Sequence, residues 1–176
     1  MKNLVKYSSL VIAVALCAMI MFTDHSLATA QATRGGANAE VDAESAARLE
    51  PGSPHLISPE DMAKVIQSAK GEKPLILNIG PYLLYMQAHI PGAEYIGPSS
   101  DSQGMEALRK RIKSLPRDKF IVLYCGCCPW NHCPNVRAAY YELYKAGFTK
   151  AKVLHIANNL GVDWVYKGYP TIKGQQ

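Results

Sequence analysis

Short apolar runs along this chain alternate with stretches whose apolar positions recur three and four apart. Leu75-Ile-Leu-Asn-Ile79, Glu94-Tyr-Ile96, Phe120-Ile-Val-Leu-Tyr124 and Lys152-Val-Leu-His-Ile156 read as strands, and the run ending at Tyr124 is apolar throughout, as a central strand should be. Between them lie helices. Ser58-Pro-Glu-Asp61 opens one, with Ser58 as cap and Pro59 at the first position, and Met62, Val65, Ile66 and Ala69 follow at helical spacing up to Gly71. Met105 to Ser114 places Leu108 and Ile112 on one side and Arg109, Lys110, Arg111 and Lys113 elsewhere, the pattern of a surface helix. Val136, Ala139, Tyr140 and Leu143 predict another helix that stops at Gly147, and Val162 to Tyr166 a last short one. Pro81 to Ala88 reads as a loop with a short helix, and His89 to Ala93 as a turn. Strands alternating with helices imply an α/β fold with a mostly parallel sheet covered on both faces. Ligands then bind beyond the carboxyl ends of the strands, where Cys125 stands.

The chain divides into three parts. Residues 1–32 read as a signal peptide: Lys2 and Lys6, then an apolar core from Leu10 to Phe22, then small residues up to Ala30 and Ala32 where cleavage is expected. That core is 13 residues long. A spanning helix needs about 20, so a stable membrane span in the mature chain is not expected. Export to the periplasm or the exterior is the expectation. Leu16 before Cys17 does not suit a lipid-attachment site. Residues 33–54 have few large apolar side chains and read as a flexible linker. Residues 55–176 form one domain without internal repeat. Cleavage lowers the formal charge from +5 to +4, and no dense basic run suggests nucleic acid as a partner.

Four of the five cysteines fall in Cys125-Gly-Cys127-Cys128-Pro-Trp-Asn-His-Cys133, between a strand and a helix. The amino end of a helix stabilises anions, so a thiol held there ionises more readily and is a better nucleophile.

The domain resembles the rhodanese-like domain, a sulfurtransferase fold. The resemblance rests on Leu75 to Ile79 before a loop, Ala88-His-Ile-Pro-Gly-Ala93, the strand ending Ile121-Val-Leu-Tyr-Cys125, the helix closing at Leu143-Tyr-Lys-Ala-Gly-Phe148, and Trp164-Val-Tyr-Lys-Gly-Tyr-Pro170. It implies a three-layer sandwich, with a central mostly parallel sheet and helices on both faces. It also implies a sulfurtransferase in which Cys125 cycles between thiolate and persulfide, moving sulfane sulfur from a small anionic donor such as thiosulfate to a thiol or cyanide. No cofactor is implied. Asn78 stands where the family carries an acidic residue, and Gly80 where a basic one usually follows. The family's arginine, six positions after the cysteine, is replaced by Asn131; counted back from Leu143 and Gly147, its place falls on Asn135. The loop is thus enlarged and its arginine displaced to Arg137.

Within this loop, Cys125 is the expected nucleophile and Cys128, at Cys-x-x-Cys spacing, the expected resolving thiol. Gly126, Cys127, Trp130 and Arg137 are the expected substrate-binding residues, with loop amides and Arg137 holding the donor's charge. Alternatives are a structural disulfide, such as Cys128 to Cys133, a module that binds zinc or copper through Cys125, Cys128, Cys133 and His132 or docks a redox partner protein, and thiol–disulfide exchange. A metal site lacks a second ligand pair in the domain, so none is assigned. His89 and His155 read as structural, and the tyrosines as packing residues.

Overall fold

The structure, a computed structural model, describes residue 44 and residues 48–174. The expected signal segment lies outside them. Five strands form one parallel sheet: β1 (Leu56–Ile57), β2 (Leu75–Asn78), β3 (Ala93–Tyr95), β4 (Ile121–Tyr124) and β5 (Ala151–Leu154), in the order β1-β5-β4-β2-β3. The central position of β4 follows from its sequence, since all four of its residues are buried. β1 was not evident from the chain's pattern. It has two residues and is held at the edge by pairing Leu56 with Val153 and Ile57 with Leu154.

Alternation along β4 sorts the core into two halves. Ile121 and Leu123 face one side with Leu77, Leu108, Ile112, Leu143 and Val153, beneath α3 (Ser102–Ile112) and α4 (Val136–Lys145). Val122 and Tyr124 face the other with Met62, Ile76, Leu154 and Trp164, beneath α1 (Pro59–Gln67), α2 (Tyr82–Gln87) and a π-helical turn at Gly161–Val165. The three-layer sandwich with helices on both faces is therefore present. Cys125 continues the parity of Ile121 and Leu123 and is buried with their half of the core.

Capping sets two helix boundaries. Ser58 Oγ accepts the Asp61 amide at 3.0 Å with Pro59 in the first turn, as expected, but α1 ends at Gln67 rather than at Gly71. α3 begins earlier than Met105, because Asp101 accepts the Gly104 amide at 2.7 Å and starts the helix at Ser102.

The segment expected as a linker, 33–54, is not one at its described end. Leu49 is fully buried in the α3/α4 half of the core, and Arg48 donates to Tyr144 Oη at 2.7 Å with its guanidinium over that ring. Among the described residues, no helix is long and apolar enough to cross a membrane.

Candidate functional site

The carboxyl ends of β2 and β4 lie side by side, with Asn78 paired to Tyr124 and the Ile79 amide bonded to Tyr124 O at 3.0 Å. The chain leaving β4 therefore delivers Cys125 next to Gly80. A Cβ at residue 80 would stand 3.0 Å from Cys125 O and 3.1 Å from its Sγ. Only glycine leaves this backbone free for the thiol. Gly126 then turns the chain with φ +76°, and a side chain there would lie 2.8 Å from Leu160 Cβ. That contact matters for the site's shape, because Gly126 O accepts the Leu160 amide at 3.0 Å and so joins the cysteine loop to the segment after β5.

A cleft of about 270 Å³ opens between these segments. Cys125, Gly126 and Cys127 line it from the loop, with Asn78 from β2, Leu84 and Gln87 from α2, and Leu160 and Val165 opposite. Cys125 is 4% exposed, so its sulfur meets solvent only through this opening.

Cys125 Sγ lies 3.2 Å from Cys127 Sγ, and Cys127 Sγ lies 2.8 Å from Cys128 Sγ. The sulfurs of Cys125, Cys127 and Cys133 are mutually within 4.8 Å, close enough for thiol exchange or to hold a soft metal ion. None of the four described cysteines is in a disulfide, so the alternative of a staple such as Cys128 to Cys133 is not seen. Cys127, at Cys-x-Cys spacing, is in direct sulfur contact with Cys125, and Cys128, the expected resolving thiol, touches Cys127.

Charge is distributed unevenly over the cluster. Cys133 is lowered to about 6, first by its hydrogen bond with the Cys125 thiol and then by the amides of Asn135 and Val136 at the start of α4. Cys125 is held well above the usual thiol range by that same interaction and by burial, so the two thiols share one proton and carry one negative charge between them. Burial and then the Cys127 thiol push Cys128 up to about 12. The thiol favoured by the helix terminus is thus Cys133, which sequence reasoning did not select. Its signal was its place just before Pro134-Asn135-Val136.

Asn135 is the second residue missed. It is 3% exposed; its Nδ2 donates to Cys125 Sγ at 3.3 Å, its Oδ1 accepts the Ser100 amide at 2.9 Å, and its carbonyl accepts from Ser99 Oγ at 2.7 Å. Asn78 Oδ1 accepts the Gly80 amide at 3.1 Å, which fixes the turn below the thiol.

Of the expected binding residues, Gly126 and Cys127 line the cleft, whereas Trp130 and Arg137 do not. Trp130 packs edge-on against His155, ring centroids 4.7 Å apart, and its amide donates to Ala157 O at 3.0 Å. It covers the loop. Arg137 is half-buried in the first turn of α4. His89 is structural, as expected: it is fully buried, stacked on Tyr85 at 4.0 Å, with Nδ1 2.9 Å from Tyr85 O.

The family model of the rhodanese-like domain matches residues 58–156. Among solved structures, the crystal structure of the Alr3790 protein from Anabaena sp. is similar at 18% identity and TM-score 0.52, over 68% of this chain and 94% of that one. The solution structure of the rhodanese-like domain of Alr3790 is similar at 21% identity and TM-score 0.50, over 68% of this chain and 79% of that one. These likenesses show a shared fold. No curated protein matches the chain.

Proposed function

Since the chain belongs to the rhodanese-like domain family, we propose that it is a sulfurtransferase that carries sulfane sulfur as a persulfide on Cys125. The observation that supports this most is that the cleft-lining Cys125 has the Cys133 sulfur, at the start of α4, within 4.8 Å of its own. Cys133 accepts the Cys125 proton when a donor enters. Cys125 then attacks the donor's outer sulfur; the donor's S–S bond breaks, and the leaving group departs with that electron pair and takes a proton. Asn135 steadies the attacking sulfur through its Nδ2–H, and Asn78 and Gly80 keep the approach open. A thiol acceptor then takes the outer sulfur and returns Cys125 to its thiol. Where no acceptor enters, Cys127 attacks the inner sulfur, forming a Cys125–Cys127 disulfide and releasing hydrosulfide. An external thiol restores the cluster. The N-terminal pattern of residues 1–32 supports placing this activity outside the cytoplasm. Transfer of sulfane sulfur to a thiol acceptor, assayed with wild type and Cys125→Ser, tests the reading: activity in wild type lost in Cys125→Ser supports it, and equal rates contradict it.

A further inference from the structure

We infer that Cys125, Cys127 and Cys133 form a binding site for a soft monovalent metal ion, copper(I). Their three sulfurs lie mutually within 4.8 Å. Around one ion with metal–sulfur bonds of about 2.3 Å, three sulfurs in a plane stand about 4 Å apart, so small side-chain rotations seat the ion. Two donors come from the Cys-x-Cys turn after β4, and the third from the residue before Pro134, at the far end of the loop. A second ligand pair elsewhere in the domain is therefore not needed.

The surroundings favour a soft ion that holds no water. Cys125 and Cys133 are 4% and 8% exposed, and no His, Asp or Glu joins the triad among the described residues. His132, the nitrogen donor that spacing offered, is exposed, with Nδ1 3.2 Å from Asn131 Oδ1. Cys128 touches Cys127 from outside the triad, its Sγ 3.8 Å from His132 O. Zinc in a closed site takes four ligands, whereas soft thiolates select copper(I), which three satisfy.

The loop is held in place before an ion arrives. Gly126 O accepts the Leu160 amide and Trp130 donates its amide to Ala157 O, both at 3.0 Å, and Asn135 Nδ2 donates to Cys125 Sγ at 3.3 Å. That donor, with the start of α4 just beyond Cys133, offsets part of the negative charge that three thiolates bring. Binding transfers no electron. Each thiol loses its proton to solvent as its sulfur takes the ion. An ion held through Cys125 excludes a persulfide there, so copper(I) competes with sulfur transfer; this consequence alone rests on the proposed activity.

The test titrates the reduced, metal-free full chain with copper(I), without oxygen, against the chelator bathocuproine disulfonate. One equivalent should bind, and X-ray absorption at the copper edge should show three sulfur neighbours and no nitrogen or oxygen. Cys133→Ser and Cys127→Ser should each weaken binding by about 10²-fold or more, since even an outer partner of a metal site is worth about 10–100-fold. Cys128→Ser should bind as wild type does. No binding by wild type, affinity unchanged in both Cys133→Ser and Cys127→Ser, equal loss in Cys128→Ser, or tighter retention of zinc than of copper(I) would each overturn the site. All four outcomes leave sulfur transfer intact, because binding is read on protein that has met no sulfur donor.

Discussion

Asn135 donates its side-chain amide to Cys125 Sγ across 3.3 Å. The same residue ties the cysteine loop to the loop before α3, through Ser99 and Ser100. Replacing its side chain removes a donor to the sulfur and leaves the Ser100 amide without its acceptor. Asn135→Ala should lower unfolding free energy by about 1–3 kcal/mol, the cost of an unsatisfied buried polar group, and should slow loading of Cys125. Denaturant melts and single-turnover loading check the two effects separately.

The lowered thiol sets the acid limb of the reaction. Cys133 is lowered to about 6, with Cys125, Cys127 and Cys128 as its titratable neighbours, so at neutral pH the Cys125–Cys133 pair carries one negative charge and Cys133 can take the proton that leaves Cys125. As pH falls through about 6 it protonates and the acceptor is lost. The loading rate should therefore fall about tenfold per pH unit below that point and level off above it. In Cys133→Ser the limb should vanish and the plateau drop by about 10²-fold. A pH–rate profile of both proteins is the check, and an unchanged acid limb in Cys133→Ser would exclude Cys133 as the base.

The order of the sulfurs predicts which thiol resolves the persulfide. Cys127 lies 3.2 Å from Cys125 Sγ, whereas Cys128 reaches the cluster through Cys127 and is pushed up to about 12. Cys127→Ser should lengthen the lifetime of the Cys125 persulfide in the absence of acceptor, and Cys128→Ser should change it little. Released hydrosulfide, followed over time after loading, distinguishes the variants.

Outside the site, Arg109 holds Glu142 through two hydrogen bonds of 2.9 Å and joins α3 to α4. The guanidinium keeps the Glu142 carboxyl below its usual range. A depressed folded-state value means that stability is present above the unfolded value and is lost as pH falls through the folded one. Arg109 is 57% exposed at its side chain, so solvent screening reduces the contribution. Glu142→Gln should cost about 0.5 kcal/mol at neutral pH, with the difference from wild type vanishing in acid. Thermal melts across that pH range measure it.

The fold was largely legible because its central strand and helices carry strong periodicity. β4 reads as buried from Phe120 onward, and Ser58-Pro59 marks the start of α1. What escaped had weak local signals. β1 is two residues long and is a strand only because β5 lies beside it, and Leu49 is an isolated apolar residue in a polar stretch whose burial depends on α3 and α4. In the site, Cys125 was legible from its place after β4, and Gly126 and Cys127 from adjacency. The roles of Cys133 and Asn135 depend on how the loop between β4 and α4 folds back on its own first residue, which spacing does not encode. Helix amides do lower a thiol here. It applies to the cysteine nearest α4, not to the one nearest β4.

The central claim is that sulfane sulfur resides on Cys125. The most direct measurement is peptide mapping by mass after reduced Cys127→Ser protein, in which resolution is blocked, is incubated with a sulfane-sulfur donor such as thiosulfate. The account predicts one added sulfur atom on the peptide carrying Cys125, and none on the protein when Cys125→Ser is added to the same background. An adduct that persists without Cys125, or that maps to Cys133, would contradict it.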